Sequence, residues 1–141
     1  MHRLILAFGL LGLWSCGDST QACTLAACDD HLSIDLAQSF SAAEAYSVTL
    51  ELDDETLHCE GQGSAFTCTG IEGGWEPAQV VVSGGQVRGV ALPRAPSHFH
   101  LVMTSNGVVV VDEAVNEITY SRVEPNGPEC GPICNNGSVE L

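Results

Sequence analysis

Apolar side chains recur at every second position through much of this chain, and that period restricts it to strands. Leu32, Ile34 and Leu36 alternate with Ser33 and Asp35. Val48, Leu50 and Leu52 alternate with Thr49, Glu51 and Asp53, and Phe99, Leu101 and Met103 with His98, His100 and Val102. Successive strand side chains point to opposite faces, so the apolar set lines a core and the polar set meets water. Val80-Val81-Val82 and Val108 to Val111 are unbroken β-branched runs, as expected of strands covered on both faces. Ser83-Gly84-Gly85 and Ser105-Asn106-Gly107 supply residues that take the positive φ of a tight hairpin turn.

Helix signals are thin. Ala37 to Tyr46 carries alanines but neither a cap nor a long apolar stripe, and reads as a loop with at most one helical turn. Eight or nine short strands with frequent turns predict an all-β fold over residues 23–141, a two-sheet immunoglobulin-like sandwich. Its core must be chiefly Val, Leu, Ile and Ala, since few aromatic residues are available.

Charge narrows the partners. Eighteen Asp+Glu stand against four Arg and no Lys, a net charge of −14. Four arginines cannot neutralise enough phosphates to hold nucleic acid. The apolar fraction of 45% argues against disorder despite that charge.

Residues 1–15 read as a signal peptide. Arg3 is followed by eleven residues, Leu4 to Trp14, without a charge, too few to span a bilayer core, which needs ~20. The segment ends Leu13-Trp14-Ser15-Cys16. This resembles the lipobox of bacterial lipoproteins, with a Leu three places before the cysteine and a small residue just before it; Trp14 departs from the family's usual small or modest residue. The resemblance implies cleavage ahead of Cys16 and a palmitate-type lipid on that cysteine. It places the chain in the cell envelope, on the outer membrane in preference to the inner. Residues 16–22 are then the lipidated cysteine and a short tether, reaching at most about 20 Å at ~3.3–3.6 Å per residue. The alternative is ordinary secretion, with Thr20-Gln21-Ala22 as the cleavage site.

Seven cysteines are an odd number for an exported chain, and lipidating Cys16 leaves six that can pair. Cys59 and Cys68 flank a glycine-bearing turn, so a bridge across that hairpin is easy. Cys28 lies four residues before Leu32, where one strand begins, and Cys134 four before Ser138, where the last is expected to begin. Equal offsets suit two parallel neighbouring strands, which favours Cys23–Cys130 and Cys28–Cys134. Local Cys23–Cys28 and Cys130–Cys134 bridges are the close second. Zinc is a weak competitor, because the spacings are irregular and exported thiols oxidise. The segment Pro125 to Cys134, the Cys-x4-Cys start and the lipobox together resemble small cysteine-containing lipoproteins of Gram-negative bacteria. That family has no established activity, so the resemblance carries over no functional residue.

Candidate sites are few. His98 and His100 share a strand face and are weak metal candidates, with His58 and His31 able to join only if the fold brings them near. The plainer reading is two surface histidines. Asp53-Asp54-Glu55 lacks the spacing and glycine of a calcium loop and reads as a solvated hairpin turn. Trp75, within Gly73-Gly74-Trp75-Glu76-Pro77, is either a binding residue for a sugar or partner or a lid on the core. Ser97 precedes His98, but adjacent strand residues point apart and no G-x-S-x-G turn exists. No enzyme and no cofactor is expected. The expected function is a lipid-anchored envelope protein acting as an interaction or structural module, partnered by the membrane and by an envelope protein or polysaccharide. A metal-handling protein using His98 and His100 is the alternative, and an enzyme of unknown chemistry comes third.

Overall fold

The computed structural model describes residues 23, 26–70 and 78–141. The signal peptide (1–15), Cys16, the tether (17–22) and Trp75 lie outside the described residues. Among the described residues ten strands form: β1 (His31–Ser41), β2 (Ala45–Leu52), β3 (Glu55–Gln62), β4 (Ala65–Thr69), β5 (Gln79–Ser83), β6 (Gln86–Leu92), β7 (Phe99–Ser105), β8 (Val108–Val115), β9 (Tyr120–Val123) and β10 (Cys134–Glu140). Ten exceeds the expected eight or nine because β9, at four residues, is too short to display a period.

The strands make a two-sheet sandwich. Sheet A runs β5-β6-β1-β10-β9 and sheet B runs β4-β3-β2-β7-β8. The alternating residues meet between them: Leu32, Ile34, Val90 and Leu92 from sheet A, and Val48, Leu50, Leu57, Phe99, Leu101 and Met103 from sheet B, all buried in one cluster. Removing such side chains from water stabilises the fold by about 1.5–3 kcal/mol each.

Three local expectations need correction. Residues 37–46 are not a loop with a helical turn: β1 continues to Ser41 and β2 begins at Ala45. Phe40 and Ser41 pair with Val87 and Gln86 after a register shift, and the Phe40 ring meets Tyr46 edge-on at 6.3 Å. Pairing across the sheet overrides the alanine preference. The second valine run is not covered on both faces either: Val108–Val110 are exposed, whereas Val80–Val82 are half-buried. Val80–Val82 belong to β5 and Val108–Val111 to β8, each the edge strand of its sheet. Finally, the last strand begins at Cys134, not Ser138, because Cys134 to Gly137 pair with β9.

β1 and β10 run side by side and parallel, with Leu32 beside Gly137 and Ile34 beside Val139. Of the two pairings open in the sequence, the long-range one is present: Cys23–Cys130 and Cys28–Cys134, with Cα atoms 5.6 and 6.0 Å apart. Cys59–Cys68 crosslinks directly paired residues of β3 and β4. Asn126 braces the lead-in to this clamp. Its buried amide accepts from Ala26 N–H at 2.9 Å and donates to the carbonyls of Ala26 at 2.9 Å and Gly131 at 2.7 Å. A buried amide with matched partners on both segments fixes their relative position.

Two of the four two-residue hairpins among the described residues use positive φ throughout their turns, 60° and 72° at Gly84-Gly85 and 51° and 78° at Asn106-Gly107. That backbone matches the twist of the flanking strands.

Candidate functional site

The polar side chains of β2 and β7 are expected to face water, and on the outer face of sheet B they and those of β3 hold the histidines against carboxylates. Pairing puts Glu51 of β2 beside His100 of β7, and Thr49 beside His58 of β3. His100 reaches both neighbouring strands. Its Nδ1 is 3.4 Å from Glu51 Oε2 and its Nε2 is 2.7 Å from Asp112 Oδ1 on β8. The hydrogen bond to Asp112, then that to Glu51, raises the imidazole above the ordinary histidine pKa. Protonated, His100 donates from both nitrogens and ties three strands together. His58 makes a smaller version, with Nδ1 3.2 Å from Thr49 Oγ1 and Nε2 3.0 Å from Glu60 Oε1.

His98 precedes β7 and joins a different group. Asp53, in the β2–β3 turn at φ 22°, accepts hydrogen bonds from the backbone of Ser97 at 3.1 Å, from Ser97 Oγ at 2.7 Å and from the backbone of His98 at 3.2 Å. The Ser97 hydroxyl is the largest influence holding the Asp53 carboxyl below its usual range; burial opposes it, and the backbone bonds and the His98 charge add to it. The expectation that Ser97 and His98 point apart is therefore overturned. Ser97 Oγ lies 3.0 Å from His98 Nδ1, because both residues lie in the loop before Phe99 and not in the strand.

Serine, histidine and aspartate thus converge, but not as a nucleophile relay. A relay puts the imidazole between hydroxyl and carboxylate, one on each ring nitrogen. Here Asp53 Oδ1 and Ser97 Oγ both meet Nδ1, at 3.0 Å each, and the hydroxyl donates directly to the carboxylate. The arrangement is a clamp that fastens the loop before β7 to the β2–β3 turn. Tyr120 fastens the same loop from sheet A, its hydroxyl donating to Pro96 O at 2.7 Å. Burial chiefly, with the charges of Asp53 and Asp30, pushes that phenol up to about 12.

A shallow hollow of about 380 Å³ lies over Glu51, Asp53, His98 and His100. Among the described residues no group of three or more His, Cys, Asp and Glu is disposed to hold a metal ion. His58 is separated from β7 by β2, and His31 opens β1 in the other sheet. The sulfurs of Cys23, Cys28, Cys59, Cys68, Cys130 and Cys134 are joined in pairs and offer no thiolate. Asp53-Asp54 form the β2–β3 turn, with Glu55 opening β3 and paired with Arg94.

Sequence reasoning missed the carboxylate partners. Glu51 and Asp112 are 49 and 12 residues from His100, so only strand register reveals them. Comparison with known proteins finds no matching family model, no matching curated protein and no matching solved structure.

Proposed function

We propose that this chain is an exported, lipid-anchored β-sandwich of the bacterial cell envelope that acts as an interaction module. The observation that supports it most is the disulfide frame. Cys23 and Cys28, the first cysteines after the lipobox, are both bridged to the segment entering β10. Such bridges persist in oxidising compartments and are rare in reducing ones. They also fasten the domain at the end that an anchor on Cys16 would hold. A tether of about 20 Å at full extension keeps the sandwich near the membrane, where a neighbouring envelope protein is within reach.

The test is fractionation of the full chain and its Cys16→Ser variant in a Gram-negative host. The wild type is expected in the membrane fraction, on the outer membrane, with an acylated N-terminal cysteine. The variant is expected as soluble protein or uncleaved precursor, because acyl chains supply ~0.8 kcal/mol of membrane binding per buried CH₂. Unmodified mature protein beginning at Cys23 would replace the anchor with simple secretion. Crosslinking of the anchored protein in intact cells tests the module itself, and an absence of any protein adduct overturns it.

A further inference from the structure

The open side of the sandwich carries a feature that neither the core nor the clamp uses. β8 is the outermost strand of sheet B and, among the described residues, pairs only with β7. Val108, Val109 and Val110 are 65%, 53% and 36% exposed. Val111 and Glu113 sit opposite buried Met103 and Leu101 and so share their inward face, yet Val111 is only half-buried and Glu113 is exposed.

The cause lies in the other sheet. β9 covers β10 only over Cys134 to Gly137, so sheet A stops short of the first half of β8. What remains is a groove of about 270 Å³, with Leu36, Phe40 and Leu141 on one wall and Val111, Asp112 and Glu113 on the other. No cation lines it. At the far side of the sandwich the valines of β5 are half-buried, with β4 packed alongside.

Natural sheet edges are usually blunted by lysine, proline, bulges or inward-pointing charges. β8 has a bulge near Val110 and the inward Glu113, but four consecutive valines remain on an open ladder. A second copy of this chain is a poor occupant. Two β8 edges would bring Asp112 and Glu113 of both copies into one short ladder, and each chain carries a net charge of −14. Like charges across a strand pair are destabilising. The same charges favour a basic partner.

We propose that the free edge of β8 docks an extended strand of a partner protein, apolar against Val111 and basic against Asp112 and Glu113. Backbone hydrogen bonds to β8 hold it, and alternate side chains drop into the groove beside Leu36, Phe40 and Leu141. This rests on the interaction-module reading and names the surface and partner class for it.

An eight-residue peptide matching β8 in length, two adjacent lysines followed by alternating valine and threonine, is the probe. Titrated into the oxidised domain, it should shift backbone amide resonances of β8 and the groove wall, and bind more weakly as salt rises. Asp112→Asn/Glu113→Gln should weaken binding roughly 2–10-fold, the range two exposed ion pairs supply. Methylating alternate backbone nitrogens of the peptide should abolish it. Equal binding by the methylated peptide, or by one with glutamate for lysine, overturns the proposal, as do shifts confined to another face or a concentration-dependent dimer through β8. If the peptide fails while the anchored protein still crosslinks envelope proteins, the β8 assignment falls and the module reading stands. If no adduct forms at all, both fall.

Discussion

His100 Nε2 lies 2.7 Å from Asp112 Oδ1, so a side chain of β7 holds the free edge strand β8 from the solvent side. The contact is exposed and its strength depends on protonation. Because the folded state raises the His100 pKa, its stabilisation is fully present below the unfolded value of ~6.5 and is lost as pH rises through the folded one. Protection of the β8 amides, that is exchange measured against the intrinsic base-catalysed rate, should therefore fall on the alkaline side of that transition. His100→Gln should remove the pH dependence, and an unchanged exchange profile in the variant would dismiss the link.

Asp53 titrates with the opposite sign. Its carboxyl is lowered from 3.8 in the fold, so its contribution is present above the unfolded value and disappears as pH falls through the lowered one. Asp53→Ala should cost about 1 kcal/mol, the net worth of partly exposed hydrogen bonds, and loosen the loop before β7. Asp53→Asn should cost less, since asparagine tolerates the positive φ and can still accept from Ser97. Thermal melting at neutral pH ranks the two, and equal loss in both would make the charge, not the geometry, decisive.

Gly89 has no room for a side chain. A Cβ there would sit 1.9 Å from the Ile34 carbonyl oxygen, where β1 and β6 pair at Asp35 beside the irregularity in their ladder. Backbone cannot swing aside as a side chain can, so Gly89→Ala should cost about 3 kcal/mol or more. Gly137→Ala meets the Tyr120 ring at 2.7 Å instead. A ring can give, and the cost should be clearly smaller. Denaturant unfolding of the two variants checks the order.

The two-sheet architecture was legible because its core strands alternate cleanly: Leu32 and Ile34, Val48 to Leu52 and Phe99 to Met103 are buried where the period put them. The edges were misread for a physical reason. Val80–Val82 and Val108–Val111 show the same β-branched run whether both faces are covered or one edge lies open, since composition reports strand preference and not neighbours. Residues 37–46 were hidden by local preference, because the partner at Val87 is distant in sequence. The histidine–carboxylate contacts were invisible for the same reason. Ser97 and His98 precede β7, which starts at Phe99, so the pleat that turns adjacent side chains apart does not extend to them.

The terminal bridges protect the fold jointly, and their effects should not add. Each closes a loop of more than 100 residues, which removes about 4.7 kcal/mol of unfolded-state freedom in the chain-entropy model. They close nearly the same loop, however. With Cys23–Cys130 formed, adding Cys28–Cys134 closes a ring of only roughly ten residues, worth about 3 kcal/mol on the same relation. That is close to what Cys59–Cys68 supplies across its separation of 9. Replacing one terminal pair by serine should therefore cost about as much as replacing Cys59 and Cys68, while replacing both terminal pairs should cost far more than either. Self-repulsion of the −14 chain deepens every loss at low salt, where it is least screened. Melting of the three paired variants and of the quadruple Cys23→Ser/Cys130→Ser/Cys28→Ser/Cys134→Ser variant decides the matter. If either terminal pair alone costs as much as both together, the bridges do not share one loop and the clamp acts through native contacts around Asn126 instead.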